Sequence, residues 1–290
     1  MASAAPTLSA GATDLRLRAE SRRIGNQRIS SINSIAALCE ATVADVQEVA
    51  RAIGSDSRLG SKFLKAGPGF GGSCFQKDIL NLVVLCGHYG LHEVAAYWQQ
   101  VVALNTWQQH RISALVVRAL FNTGSGKRIA VLGFAFKANT NDTREIPAIR
   151  ICRDLLEESA QLAFFDPKVS PEQIAADLGV EALAGSDGTV MQAEGVWQPA
   201  EDPAAAVPGA DAVLLLTEWQ QFRQLDWPAL AAVMRQPAWL FDARAVADEA
   251  VARAAGLRVW VRGKGWGWWC RPGGGGAQGR TRRRRLSGNP

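Results

Sequence analysis

The sequence lacks long apolar runs: no stretch approaches the roughly eighteen consecutive apolar residues that a membrane-spanning helix needs. We therefore expect no membrane as a partner. Cysteine is sparse, and its five copies form neither a CxxC pair nor any other spacing typical of zinc sites, so no metal centre is expected. Scattered single cysteines are typical of a reducing compartment, which favours a cytoplasmic protein.

Acidic residues are absent from residues 271–290, which contain six arginines. Without those six charges the formal net charge falls from +5 to −1, so the rest of the chain is close to neutral. The alternatives for this Gly- and Arg-rich tail are a nuclear signal, an RNA-binding segment and disorder. Because such a composition cannot build a core, we expect residues 266–290 to be disordered and do not expect nucleic acid as a partner.

Length and periodicity together indicate two folded parts. Apolar residues recur at helical spacing in the first part, whereas strand and helix patterns alternate from residue 127 onward. Alternation of this kind predicts a parallel sheet flanked by helices, with ligands at the carboxyl ends of the strands. We therefore predict an α/β protein in which a central helical domain over 28–121 precedes a Rossmann-like domain over 122–265. Residues 1–27 are expected to be disordered.

The individual elements follow from apolar spacing and capping residues. In the first part we predict a helix from about Ile32, a break near 41–44, a helix ending at Gly54, and helices over 78–86 and 93–121. In the second part we predict strands over 128–133, 161–165, 212–216, 239–241 and 257–261. The helices predicted there cover 147–158 and 245–255, and two more open at Ser170 and Asp226. The Ala-, Gly- and Pro-rich stretch 180–210 is predicted to be a surface loop.

One cysteine, Cys74, follows four glycines within eight residues. Glycine of this density indicates positive φ angles or a close approach of the backbone to a ligand. If a helix begins at Gln76, its exposed N–H groups, together with Lys65 and Lys77, favour the thiolate form of Cys74. This setting is typical of a nucleophile; a glycine loop around an inert buried thiol is the alternative. Three other cysteines lie on apolar helix faces and are expected in the core: Cys39, Cys86 and Cys152.

The cysteine loop reads GFGGSCFQKD at residues 69–78. Further characteristic stretches accompany it: RISSINSIAALCEAT at 28–42, AYWQQVVALN at 96–105, KRIAVLGFAFKANTNDTRE at 127–145 and FDAR at 241–244. On these residues the chain resembles the UDP-glucose 6-dehydrogenase family, over roughly residues 28–264. Ten consecutive identical residues at a catalytic loop make the resemblance specific.

The resemblance implies an NAD-dependent oxidoreductase of nucleotide-sugar metabolism. Members of the family oxidise C6 of UDP-glucose to the carboxylate of UDP-glucuronate with two NAD and one water, through a cysteine thiohemiacetal and a thioester. By this resemblance Cys74 is the nucleophile and Asp78 the carboxylate that manages water and protons. NAD is then the cofactor, UDP-glucose the substrate, and the central helices form a homo-oligomer.

The resemblance also implies the remaining site residues. Substrate-binding positions are Arg58, which would enter the neighbouring subunit's site, and Lys65, Ala66, Gly67, Pro68, Gly69, Phe70, Phe136, Lys137 and Arg244. Cofactor-binding positions are Cys74, Phe75, Gln76, Lys77 and Arg144.

The sequence departs from the family pattern in two respects. Arg18 and Arg22 stand where the resemblance expects a Lys and an Asn, and arginine cannot give up its proton near neutral pH. No strand–GxGxxG–helix unit lies upstream of residue 28. We therefore expect a truncated chain that does not oxidise the substrate alone. Two functions stay open: a UDP-glucose 6-dehydrogenase, and a non-catalytic module for UDP-sugar binding and dimerisation.

Overall fold

The computed structural model describes residues 10–42, 44–72, 74–183 and 195–265, with side chains from residue 19 onward. The predictions for residues 1–9 and 266–290 lie outside this part of the chain. Among the described residues, none of the helices combines the length and the apolar character that crossing a bilayer requires.

In the described part of residues 10–121, four α-helices form the first part of the fold. Helices α1 (Ala10–Ala41) and α2 (Val46–Ser55) are followed by α3 (Phe75–His88) and α4 (His92–Ala119). The predicted break before α2 is confirmed, because Asp45 caps α2 by accepting a hydrogen bond from the backbone N–H of Gln47 at 2.7 Å.

Helix α1 extends much further toward the N-terminus than predicted. The disorder expected over 1–27 is wrong for residues 10–27, which form the first half of α1. The reason is a set of tertiary contacts to α3: buried Asn26 donates to the backbone oxygen of Phe75 at 3.1 Å, and buried Arg23 donates to that of Asp78 at 2.9 Å. Polar side chains therefore hold a segment whose composition offers little apolar surface.

The second part is a six-stranded parallel sheet. Its strands are β1 (Arg128–Leu132), β2 (Gln161–Phe165), β3 (Val196–Pro199), β4 (Ala212–Leu215), β5 (Trp239–Asp242) and β6 (Arg258–Val261), in the order β3-β2-β1-β4-β5-β6. This order confirms the predicted α/β class and places the reversal of strand order between β1 and β4, where such sheets bind ligands.

Strand β3 falls within the stretch predicted to be a loop, so that prediction is wrong at this point. The strand is only four residues long and lies at the edge of the sheet, where it pairs with β2. Its one fully buried side chain is Trp197, whose indole donates to the backbone oxygen of Val180 at 2.8 Å. A four-residue strand with one buried side chain does not show the alternation of apolar and polar residues by which a strand is predicted from sequence.

Within the described residues, five α-helices flank the sheet: α5 (Pro147–Glu157), α6 (Pro171–Leu178), α7 (Pro203–Ala206), α8 (Trp227–Ala232) and α9 (Glu249–Ala254). The capping box predicted for α6 is supported by the Ser170 hydroxyl, which accepts from the backbone of Gln173 at 3.3 Å. Helix α9 begins later than the predicted residue 245 because Asp248 caps it. The C-terminal half of α4, with Ile112 and Val116, packs into the core of the sheet and joins the two parts.

Candidate functional site

The glycine-rich segment before Cys74 is held by buried polar side chains. Asn105 of α4 accepts a hydrogen bond from the backbone N–H of Phe70 at 2.8 Å and donates to its carbonyl oxygen at 3.1 Å. Asn33 of α1 accepts from the N–H of Gly67 at 2.8 Å, and Gln108 of α4 donates to the Gly67 oxygen at 3.2 Å. Two helices thus fix the loop backbone at two points.

Two of the loop glycines are required by close approach. Gly69 has φ +142°, and a Cβ at this position would lie 2.8 Å from Asn105 Oδ1. A Cβ at Gly71 would lie 2.5 Å from the backbone oxygen of Glu145, in the segment that precedes α5. The loop therefore lies tightly between α4 and the sheet part, as the density of glycine predicted.

Cys74 occupies the N-cap position of α3, and its thiol is exposed. Asp78 lies one turn further along, and its backbone N–H donates to the Cys74 oxygen at 2.9 Å. The Asp78 carboxylate accepts a hydrogen bond from Arg22 Nε at 2.5 Å. This bond raises the pKa of the Arg22 guanidinium, with burial acting in the opposite direction and the charges of Asp78 and Cys74 adding to the increase. The structure therefore brings the two predicted catalytic residues and Arg22 together.

A basic cavity of about 400 Å³ lies beside the first residues of the loop. Within the described part of the chain, its lining contains no acidic residue and five cations: Arg51, Lys65, Arg223, Arg244 and Arg262. They come from α2, from the loop and from the segments that follow β4, β5 and β6. Such an excess of positive charge in a concave site suits a ligand with several negative charges. We refer to it below as the basic cavity.

Arg244 is fixed at the centre of these segments. Its Nε donates to the Leu216 oxygen at 2.7 Å and its Nη2 to the Phe136 oxygen at 3.2 Å, while Glu218 Oε2 lies 3.2 Å from Nε. A Cβ placed on Gly67 would lie 3.4 Å from Arg244 Nη1, so the guanidinium borders the glycine loop. Burial lowers the pKa of Arg244, and the charges of Glu218 and Asp242 oppose this effect.

Three of the five predicted cofactor-binding residues line a second cavity, of about 580 Å³. Gln76, Lys77 and Arg144 line it, together with four acidic residues: Glu145, Asp154, Glu157 and Asp177. Phe75 instead packs edge-to-face against Phe136, with ring centroids 6.2 Å apart.

Three of the remaining predicted residues lie apart from the basic cavity. The Arg58 side chain is 87% exposed and pairs with Asp56 at 2.6 Å, so it does not enter the site of its own chain. Lys137 is exposed next to Phe136 and is absent from the described lining of the basic cavity. Arg144, on the second cavity, pairs with Asp142 at 2.9 Å. Their roles stay predictions.

The residues that sequence reasoning missed are mostly the supports of the loop. Asn33, Asn105 and Gln108 are at most 2% exposed, and the buried faces of their helices contain further polar residues such as Ser30 and Gln109. Polar residues at the helical spacing of the apolar ones are the signal that could have identified them. Arg262, directly after the apolar strand VWV of β6, offered no comparable signal.

Both parts of the fold match known proteins. The central-domain model of the UDP-glucose/GDP-mannose dehydrogenase family matches residues 22–107, and the UDP-binding-domain model of that family matches residues 130–249. UDP-glucose 6-dehydrogenase of Drosophila melanogaster is 53% identical over 238 residues, covering 82% of this chain and 49% of that protein. The Gallus gallus enzyme is 52% identical over 223 residues, covering 77% and 44%.

A solved structure agrees with these matches. The UDP-glucose dehydrogenase of the archaeon Pyrobaculum islandicum superposes with a TM-score of 0.68 at 27% identity, covering 86% of this chain and 50% of that one. The chain spans about half the length of the curated relatives described above. Two models of one family match both parts of the fold, and we conclude that the chain belongs to the UDP-glucose/GDP-mannose dehydrogenase family, with its central and UDP-binding domains.

Proposed function

We propose that this chain supplies the substrate-binding and nucleophile-bearing part of an NAD-dependent UDP-glucose 6-dehydrogenase. The observation that carries the proposal is the continuity between the basic cavity and the cysteine loop. Lys65 and Ala66 line the cavity, and the same loop then leads to Cys74 at the start of α3. A UDP-sugar whose diphosphate occupies the cavity would direct its sugar along the loop toward the thiol.

Each group has a role in this proposal. Arg244 and Lys65 bind the diphosphate, and the clamped backbone around Gly67 orients the sugar. Cys74 Sγ attacks the aldehyde carbon at C6, and the new carbon–sulfur bond replaces the π bond of the carbonyl. The Asp78 carboxylate, which Arg22 holds, takes the proton of the thiol and returns it to the former carbonyl oxygen. The charge of Cys74 raises the pKa of the Arg22 guanidinium and of the Arg144 guanidinium, so both cations interact with the proposed nucleophile.

The second cavity contains cations as well as its four carboxylates. Lys77 and Arg144 line this cavity next to the start of α3 and, as the family resemblance implies, would hold the diphosphate of NAD. When bound, NAD would supply the acceptor for the hydride from C6. The described residues provide no further binding site for the two nucleosides of NAD. We therefore expect NADH formation by this chain alone to stay at background.

Calorimetric titration of the full chain with UDP-glucose tests the proposal. We expect weak but measurable binding, and a loss of about tenfold or more for Arg244→Ala because a charge-assisted hydrogen bond contributes roughly 1.5–3 kcal/mol. Arg258→Ala is the matched control, since Arg258 is exposed on β6. Lys137→Ala is expected to weaken binding as well. Equal affinities for the Arg244 and Arg258 variants would contradict the proposed site.

One observation favours the second candidate, a UDP-sugar-binding module without turnover. The Arg22 guanidinium engages the Asp78 carboxylate at 2.5 Å, and arginine cannot relay a proton at neutral pH. We expect Arg22→Asn to change the rate at which Cys74 is alkylated while leaving UDP-glucose affinity unchanged. Steady, Cys74-dependent NADH formation by the unmodified chain would exclude the module and favour the enzyme.

We further propose that the central helices form a dimer, as the family resemblance implies. The supporting observation is a group of large apolar side chains that are exposed on α3, on α4 and between them: Leu80, Val84, Leu85, Tyr89, Leu91, Val94 and Tyr97. Val84 is 69% exposed at the middle of α3. Several exposed large apolar side chains on two neighbouring helices are typical of an interface.

Sedimentation velocity tests the dimer. The full chain at tens of micromolar should sediment as a dimer, and Val84→Lys should shift it toward the monomer because a lysine would be desolvated in the interface. Val251→Lys is the control, since Val251 is exposed on α9, away from these helices. A monomer in the unmodified protein would refute the proposal.

A further inference from the structure

Arg262 lines the basic cavity with a side chain that is buried but incompletely hydrogen-bonded among the described residues. Its side chain is almost completely buried, with only 2% of the residue exposed. Its Nε donates to the Ala243 oxygen at 2.9 Å. Its Nη1, however, is buried and has no hydrogen-bond partner among the described residues. A buried guanidinium donor without an acceptor is costly and calls for an explanation.

Two carboxylates whose charges act on Arg262, Asp242 and Glu40, do not supply an acceptor to Nη1. Asp242 accepts hydrogen bonds from the backbone N–H groups of three residues, Arg244, Val246 and Ala247. Glu40 accepts from the indole of Trp260 and the N–H of Gly263, and pairs with Arg111. These hydrogen bonds come from donors other than Arg262 Nη1.

The charge on Arg262 persists at neutral pH. Burial lowers its pKa most and repulsion from Arg244 lowers it further, whereas Glu40, Asp242 and Asp45 raise it; the result is about 10. Arg262 is therefore a cation at the edge of a cavity that already contains other cations.

The sheet places Arg244 and Arg262 as a pair. Asp242 of β5 is in register with Val261 of β6, so the two arginines follow neighbouring parallel strands at the carboxyl-terminal end of the sheet. Both side chains line the basic cavity. Two guanidinium groups at this end of the sheet suit the binding of two linked phosphates, because each guanidinium can form parallel hydrogen bonds with one phosphate.

We propose that Arg262 is a further anion-binding residue of this chain, which acts with Arg244 on the diphosphate of a nucleoside diphosphate ligand. The inference rests on the proposed function for the identity of the cavity and adds a specificity-determining residue to it. With Arg262 engaged, the cavity should distinguish ligands by their phosphate count. A diphosphate reaches both arginines, whereas a monophosphate reaches one and a nucleoside reaches neither.

Titration of the full chain with UDP, UMP and uridine tests the inference in the unmodified protein, in Arg262→Met and in the control Arg258→Met. We expect Arg262→Met to weaken UDP binding at least tenfold, to weaken UMP binding less, and to leave uridine binding unchanged. Arg258→Met, which removes an exposed charge from the same strand, should leave all three affinities within about twofold. The thermal midpoint of Arg262→Met should be unchanged or higher, because replacing a poorly satisfied buried charge by an apolar side chain is often stabilising.

The outcomes separate the two proposals. If UDP binds and depends on Arg244 but Arg262→Met binds it as tightly as the unmodified chain, this inference alone is overturned. An equal loss of affinity for UDP and uridine, with a lower thermal midpoint, would assign Arg262 a structural role and also overturn it. If Arg262→Met does not fold, the Arg262→Lys variant is titrated instead. We expect it to bind UDP several-fold more weakly and uridine with unchanged affinity. Unchanged affinity for UDP would refute the inference. Absence of UDP binding in the unmodified chain would refute both proposals.

Discussion

Replacement of Asn105 by alanine tests whether the cysteine loop is held by buried amides. Asn105 is 2% exposed and makes two hydrogen bonds to Phe70, at 2.8 and 3.1 Å. Its removal leaves the buried N–H and carbonyl of Phe70 without partners. Each such group costs about 1–3 kcal/mol, and alanine returns about 0.5 kcal/mol through its higher helix propensity. For the two groups together, we expect Asn105→Ala to lower the free energy of unfolding by about 1.5–5.5 kcal/mol.

Urea unfolding followed by circular dichroism measures this change. Gln99→Ala is the matched control, since Gln99 is an exposed amide on the same helix, and should change the free energy of unfolding by less than about 0.5 kcal/mol. The loosened loop should also weaken UDP-glucose binding in Asn105→Ala. A stability loss below about 1 kcal/mol would show that water satisfies the Phe70 backbone and would refute the clamp.

Two further predictions concern a thiol and an ion pair. Iodoacetamide should alkylate exposed Cys74 before Cys152, whose pKa is raised by complete burial and by the charge of Asp154; faster labelling of Cys152, read by peptide mass spectrometry, would contradict the site. Burial raises the pKa of Glu249, but hydrogen bonds from Lys264 (2.8 Å) and Arg253 outweigh it and hold that pKa below its ordinary value. The stability that these bonds contribute is therefore present above the unfolded carboxyl pKa of about 4.3 and is lost as pH falls through the folded value. Lys264→Met should lower the urea midpoint more at pH 7 than at pH 3, and equal shifts would refute the linkage.

Local chemistry made much of the fold predictable from sequence. Strands such as β1 and β4 are continuous apolar runs bounded by turn residues, and helix α6 carries its capping serine and proline in the sequence. Strand β3 was not predicted because its position depends on pairing with β2 at the edge of the sheet. The first half of α1 was not predicted because Arg23 and Asn26 donate hydrogen bonds to acceptors on α3. These contacts join residues about fifty positions apart in the sequence.

The sequence alone also determined the tight packing of the cysteine loop. The density of glycine around Cys74 required a backbone that packs without side chains, and the structure supplies the close neighbours, Asn105 and Glu145. The sequence could not determine which charges meet. Arg244 and Arg262 are brought to one cavity by the register of β5 and β6, and Arg22 reaches Asp78 only because α1 packs against α3. Hydrophobic pattern and turn chemistry are local properties that a sequence carries in full, whereas the meeting of distant charges depends on how elements pack, and only the tertiary structure decides it.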